Sequence, residues 1–363
     1  LLIPGAFIMF FVNEGGVDLS KTAATASEYG ETSKTGDLIY TVGALTSDTD
    51  LGDGYIISEK RAAFISVAYM YSWVEHESSK TTENVGGSTD TTYTYAYSKE
   101  WTTLPDSSDG FQESNGHENP QDRIALTKSL YVTRYADAYI NGLSISEGDV
   151  GKLGLPENVL ELNAQTVKPE HTDLIKNDYI YLDYDDESQE SGAGAKIGDI
   201  RIAYYEVKSG IDGMVIGRLD GSYIRTYRAE RKTAFTVRHG ELLRWFGTSD
   251  LNEATSALAT EYRVMLWIFR VVGTIMIYVG FLLLLNPLTT ILSFVPFLGR
   301  MSGGLIALVF LPVSVVISAV AILLAVFLNN LITFIILVGA LVALAIAGIV
   351  KRSKKTSAAR RRS

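Results

Sequence analysis

The sequence contains no cysteine. This excludes disulfide frameworks, thiolate metal sites, haem attachment and cysteine nucleophiles together. It also contains no Asn-x-Ser/Thr triplet, so there is no acceptor for an N-glycan. No Gly-x-Ser-x-Gly elbow, phosphate loop or dinucleotide fingerprint occurs. The four histidines, His76, His117, His171 and His239, lie far apart, and none has metal-ligand spacing. No cofactor or metal is expected. Acid is missing from the C-terminal part: no Asp or Glu follows Glu261.

What is present is split into two unlike blocks. All 41 acids lie between Glu14 and Glu261. Lys21 to Arg263 holds 23 Lys and Arg, so the block from Glu14 to Arg263 carries a net charge of −18. Seven more bases crowd the tail after Val350. An acidic block of this size repels phosphate, so nucleic acid is not expected as a partner.

The apolar runs are membrane-length. Leu266–Leu285, Leu305–Leu328 and Leu331–Val350 each hold about 20 residues, enough to cross a hydrocarbon core of ~30 Å. Leu1–Val12 is shorter and reads as the end of a first span. The stretch 288–303 is apolar but broken by Pro296 and Gly299, and suits a re-entrant or interfacial segment. The tail Lys351, Arg352, Lys354, Lys355, Arg360, Arg361 and Arg362 follows a span directly and marks the cytoplasmic side. Anionic headgroups would supply its counter-charge. Counting back, the acidic domain lies on the opposite side, extracytoplasmic or lumenal.

The expected organisation is therefore a truncated first helix (1–12) and a β-rich domain (13–263). Three membrane helices with the re-entrant segment (264–350) and a basic tail (351–363) follow. The fold class is α+β: a large, mostly antiparallel β domain on a four-helix transmembrane region.

Within the domain, Asp37–Leu45, Ala63–Glu75 and Thr91–Thr102 alternate as strands. Period two puts Tyr69, Tyr71 and Trp73 on one face, and Tyr93, Tyr95, Tyr97 and Lys99 on another. Gly86-Gly87 between them suits a hairpin. Facing strands would stack a Tyr/Trp ladder, expected as buried sheet core, with Trp73 and Trp101 closing it. Val150–Leu162 reads as one or two short helices. Asn252–Arg263 reads as helix, capped by Ser249 or Asp250 and continuous with the next span. The basic residues from Arg218 to Arg244 could meet the headgroups of the outer leaflet or pair with the domain's own carboxylates, and the pairing is the default expectation.

Several short motifs occur in order. Asn13-Glu14-Gly15 follows the first apolar run. Met70-Tyr71-Ser72-Trp73-Val74-Glu75 is followed by Tyr95-Ala96-Tyr97 with Trp101, then by Gly116-His117-Glu118-Asn119-Pro120. Gly198-Asp199-Ile200-Arg201-Ile202 and His239-Gly240 complete the series. Together with four spans around one large domain, these resemble the LUMA family, also called transmembrane protein 43. In the first motif, Gly16 stands where the family has a basic residue.

The resemblance implies an oligomeric scaffold of internal membranes that organises other membrane proteins. In a eukaryote it implies the endoplasmic reticulum and inner nuclear membrane, with emerin and lamins as partners. In a prokaryote the location would be the plasma membrane. It carries over no catalytic residues. The residues Asn13, Glu14, Trp73, Glu75, Tyr95, Tyr97, Trp101, Gly116, His117, Asn119 and Pro120 are structural or partner-contact candidates.

Two alternatives come from other classes. One is a membrane-bound hydrolase or lipid-modifying enzyme using His117 as general base beside nearby carboxylates. The other is a channel, which the spans disfavour because they hold only Arg270 as an ionisable residue. Gly339, Ala343 and Ala347, spaced by four on the last apolar run, form a small-residue face suited to close helix packing and a homo-oligomer contact.

Overall fold

The computed structural model describes residues 1–83, 89–182, 195–292 and 303–330, with 335 and 339. Its helices are α1 (Leu2–Glu14), α2 (Leu19–Ala23), α3 (Gln121–Leu130), α4 (Leu251–Leu292) and α5 (Gly303–Asn329). Its longer strands include β1 (Leu38–Leu45), β2 (Glu59–Glu83), β3 (Thr89–Thr102), β4 (Ile200–Lys208), β5 (Ile211–Asp220), β6 (Tyr227–Lys232) and β7 (Val237–Leu242). Shorter strands are given by range.

The architecture is α+β with mostly antiparallel sheets. One sheet of seven strands is centred on the antiparallel pair β1–β5. One of eight strands is centred on β2, with β4 and β3 antiparallel to it. The hairpin β6–β7 stands apart as a two-stranded sheet.

Alternation along β2 explains the layering. Ala63 and Ile65 point toward the seven-stranded sheet and join Ile39, Val215 and Trp245 in one core. Phe64, Ala68 and Met70 point the other way and pack with Ile124 of α3 and with Ile200, Ile202 and Tyr204 of β4. The far face of the seven-stranded sheet is covered by Ala23 of α2 and by Ala254 and Leu258 of α4.

The start of α4 is capped by Asp250, whose Oδ1 accepts from the Asn252 N–H at 2.8 Å. From there α4 runs unbroken for 42 residues, about 60 Å at 1.5 Å per residue. One end covers the sheet and the other enters the helix bundle, so the domain and the bundle share a single rigid element. The helix continues past Asn286-Pro287 to Leu292, whereas the apolar pattern put its end at that pair. A proline inside a membrane helix is tolerated when neighbouring groups satisfy the carbonyl it frees.

Three segments, Leu2–Ala23, Leu251–Leu284 and Phe310–Asn329, are long and apolar enough to cross a membrane. The expected base of four helices is thus three among the described residues. The fourth run, 331–350, lies outside them apart from Ile335 and Gly339, and so do the tail and most of 288–303. Residues 288–292 continue α4 and do not open a separate segment.

The bundle packs Ala6 and Phe10 of α1 with Ile277 of α4 and with Ala321 and Ala325 of α5. Gly273 and Gly280 of α4 let α1 approach closely. A Cβ on Gly273 would strike the Phe10 ring, and one on Gly280 would strike Ile3. Among the described residues, close packing at small residues is therefore found between α1 and α4.

The expected short helices at Val150–Leu162 are not formed. A single turn, Glu147–Val150, ends there, and Asn158–Val159 pairs with β4. Gly154, at a φ of +67°, interrupts the helical pattern.

Candidate functional site

The pairing of β2 with β3 aligns the motif residues across the strands. Tyr71 faces Trp101, Trp73 faces Lys99, and Glu75 faces Tyr97. The segment that follows β3 then wraps round the edge of β2 and returns to this face before α3 begins.

Asn119 closes that edge. Beyond Gly198 and Asp199, whose backbone bonds Tyr71, the main chain of Trp73 has no neighbouring strand on this side among the described residues. The buried Asn119 amide replaces one. Its Oδ1 accepts from the Trp73 N–H at 2.9 Å, and its Nδ2 donates to the Trp73 carbonyl at 2.9 Å and to the Asp106 carbonyl at 3.1 Å. The Asn119 N–H in turn donates to Ser108 Oγ at 2.6 Å. Pro120 follows as the N-cap residue of α3, where its fixed φ enters the helix without strain.

Glu75, Tyr97 and His117 form a second knot. The Tyr97 hydroxyl donates to Glu75 Oε2 at 2.6 Å and accepts from the Glu113 N–H at 2.8 Å. The same carboxylate oxygen accepts from the Gln112 N–H at 2.6 Å. Desolvation raises the Tyr97 phenol above its ordinary pKa, and the hydrogen bond to Glu75 adds to this.

The His117 ring stacks on Tyr97 at 3.9 Å and meets Trp73 edge-on at 4.7 Å. Its Nδ1 lies 3.0 Å from the Glu113 carbonyl. A carbonyl can only accept, so Nδ1 carries the proton. Gly116, at a φ of +81°, makes the turn that brings His117 here. The Gly116 N–H bonds Glu118 Oε1 at 2.9 Å and holds that carboxyl below the usual range.

The expected aromatic ladder exists but is not core. Trp73 and Trp101 are only half-buried. The face filled by core atoms belongs to Ala68, Met70 and Ser72. On the outer face Arg201 takes the central place, with its guanidinium 4.3 Å from the Tyr179 ring, 4.5 Å from Trp101 and 5.3 Å from Tyr69. Further along, Lys99 Nζ lies 4.6 Å from the Trp73 ring. Cations over aromatic faces hold the strip together where a second sheet does not cover it. The spacing of Tyr and Trp gave their common face, but the role of Arg201 had no local signal.

Tyr95 lies further out on the same hairpin, opposite Glu77. Asn13 and Glu14 are in a separate place, at the end of α1. Glu14 is buried and forms a two-point ion pair with Arg270 of α4, at 2.7 and 3.0 Å. Asn13 Nδ2 donates to the Leu266 carbonyl at 3.3 Å. Asn329 at the end of α5 donates to the Phe11 carbonyl at 2.8 Å. The three helices are thus tied at the level where the domain begins.

Among the described residues, nothing lies within 4 Å of a Cβ added at Gly339. Ala343 and Ala347 lie outside the described residues. Of the cations from Arg218 to Arg244, three pair with nearby acids among the described residues: Arg225 with Asp149 (3.1 Å), Arg218 with Asp220 (3.7 Å) and Arg244 with Glu261 (3.0 Å).

The His117 Nδ1 is committed to a main-chain carbonyl, not to an orienting carboxylate, and Glu75 is held by Tyr97 and Gln112. Among the described residues no group of three or more His, Asp or Glu could hold a metal.

A β-rich domain locked by one continuous helix to a bundle of membrane-length helices defines a multi-pass membrane protein. The model of the family described as Transmembrane protein 43 (TMEM43) matches residues 70–331, most of the chain. The chain belongs to that family. No curated protein and no solved structure matches it. The match takes in the motifs from Met70 to Pro120 and begins after Asn13 and Glu14.

Proposed function

We propose that the protein is an oligomeric, non-enzymatic scaffold of the membrane, which organises other membrane proteins through its extracytoplasmic or lumenal domain. The observation that carries this reading is the arm formed by the outer parts of β2 and β3. From His76 to Thr82 on one strand, and on most of the facing strand, the residues are exposed. The arm remains paired out to Glu83 and Thr89.

A two-stranded ribbon with both faces in water is marginal by itself. Here its root is fixed by the Asn119 clasp and by the Glu75–Tyr97–His117 knot. A rigid root under an exposed ribbon suits a contact arm, and α4 transmits its position to the bilayer. The motif residues spend their polar groups on one another, which supports a structural role for them over a reactive one.

The partners on this reading are further copies of the chain, other membrane proteins and membrane lipids. The small-residue face of Gly339, Ala343 and Ala347 is a second self-contact. Emerin and lamins enter only in a eukaryotic cell, with the protein in the endoplasmic reticulum or inner nuclear membrane. In a prokaryote the location is the plasma membrane.

The arm can be tested directly because the chain has no cysteine. Tyr93 is 55% exposed on the arm. Oxidation of Y93C in native membranes should give disulfide-linked dimers. A folded Y93C protein that stays monomeric under oxidation would count against the arm as a self-contact.

A further inference from the structure

The hairpin β6–β7 ends in a turn whose composition is unlike the rest of the domain. From Arg231 to Arg238 the sequence is Arg-Lys-Thr-Ala-Phe-Thr-Val-Arg, with three cations and no acid, inside a block of net charge −18. Phe235 at the tip is 60% exposed and Val237 is 42% exposed. An aromatic and a β-branched residue set out in this way, ringed by cations, match the mixed chemistry of a headgroup layer.

The position of the turn agrees with its composition. The Phe235 ring lies 6.1 Å from that of Phe11, in the last part of α1. Arg231 Nη1 donates to the Gly16 carbonyl at 2.6 Å. Gly16 directly follows the level at which Glu14, Arg270 and Asn329 tie the helices together. The tip therefore stands where the apolar helices meet the polar domain.

The turn is also built in advance. Thr233 and Thr236 close it: the Thr233 N–H donates to the Thr236 carbonyl at 2.8 Å, and the Thr236 N–H donates to Thr233 Oγ1 at 3.1 Å. Little order is left to be gained on binding. Arg231 and Arg238 face each other across the strands, an arrangement of like charges that is unfavourable without an anion. A phosphodiester brings several acceptors to such a pair.

We infer that this turn is a lipid-contact element. It seats Phe235 in the interfacial zone of the leaflet on the domain's side, with Arg231, Lys232 and Arg238 gathered round anionic phospholipid headgroups. The inference rests on the described helices crossing a bilayer, and the test separates the two.

A nitroxide on F235C in the whole chain, reconstituted in nanodiscs with one labelled chain each, reports its depth through collision with oxygen and with a water-soluble nickel chelate. V271C, on an exposed part of α4, serves as the lipid reference, and K80C on the arm serves as the aqueous one. T236C leaves Phe235 in place and serves as the tip position if F235C fails to fold.

In discs of phosphatidylcholine with phosphatidylserine, the tip label should collide with oxygen more than with nickel and lie between the two references. Replacing the phosphatidylserine by phosphatidylcholine should move it toward water. The double change K232Q/R238Q should remove that lipid dependence. A tip label as nickel-accessible as K80C, with V271C in lipid, would overturn the proposal. A tip label shielded from both agents would also overturn it, since that places the tip against protein. If V271C itself reads as aqueous, the membrane placement of α4 is wrong and the proposal falls with it.

Discussion

Asn119 acts as a strand for Trp73. Its side-chain amide accepts the Trp73 N–H and donates to the Trp73 carbonyl, each at 2.9 Å, as the next strand of a sheet would. The consequence is local and measurable. Asn119→Ala leaves two main-chain groups and the Asp106 carbonyl without a partner, at a cost of about 1–3 kcal/mol per unsatisfied buried group. The expected result is a fall of several degrees in Tm, read by tryptophan fluorescence. Asn119→Asp keeps the acceptor but loses the donor, so it should not rescue.

His117→Ala should lower stability as well, because it removes a ring stacked on Tyr97 and set edge-on to Trp73. Aromatic pairs of this kind contribute about 0.5–1.5 kcal/mol each beyond area burial. Gly116→Ala should act in the same direction through its positive φ. Thermal melting of both variants in detergent checks this. A His117→Ala protein with unchanged melting that had lost a hydrolytic activity would instead point to an enzyme.

The Glu14–Arg270 pair should be strongly coupled. Removing one partner of a buried pair typically costs about 3–5 kcal/mol, because the other charge is left alone. E14Q and R270Q should each lower the melting temperature, and the double variant should lose less than the sum of the two. Trp267, whose ring is 5.1 Å from the Arg270 guanidinium, is a local reporter.

Asp149 gives an acid limb. Burial alone would raise its pKa, but hydrogen bonds from Lys152, Ser146 and Arg225 outweigh this and hold it below the ordinary value. A carboxyl whose folded pKa is depressed contributes its stability fully above the unfolded value, near 3.8. That contribution is lost as pH falls through the folded value. Wild-type protein should therefore lose stability on acidification below about pH 4 more steeply than Asp149→Asn. Denaturant midpoints measured across that range should converge for the two proteins as the pH falls.

The strands were largely legible because alternation survives in sequence. Leu38–Leu45 and Thr89–Thr102 follow it closely, and the common face of Tyr69, Tyr71 and Trp73 follows from period two. The side of the sheet that faces the core did not follow. Small residues, Ala68 and Ser72, fill the buried face, while the large aromatics lie outward over Arg201. The length of β2 was also hidden, since beyond Glu75 both faces are polar and only its pairing with β3 keeps it extended.

Long-range polar pairs left no local trace. Glu14 and Arg270 are 256 residues apart. Arg61 is fully buried against Glu206 at 2.6 Å, although nothing in its neighbourhood distinguishes it from a surface arginine. Asn119 was legible only as part of a motif, and its function as a substitute strand needed the edge of β2 to be placed.

Self-association of this membrane scaffold is read in the mass of its particles. The protein extracted with its lipids into nanodiscs and weighed one particle at a time should show a defined species of more than one chain. It should persist on dilution, while Gly339→Leu or Y93C capped by a bulky maleimide should shift it to smaller mass with the domain still folded. A wild-type protein that gives a single chain per particle, in mild detergent and in nanodiscs alike, would contradict self-association.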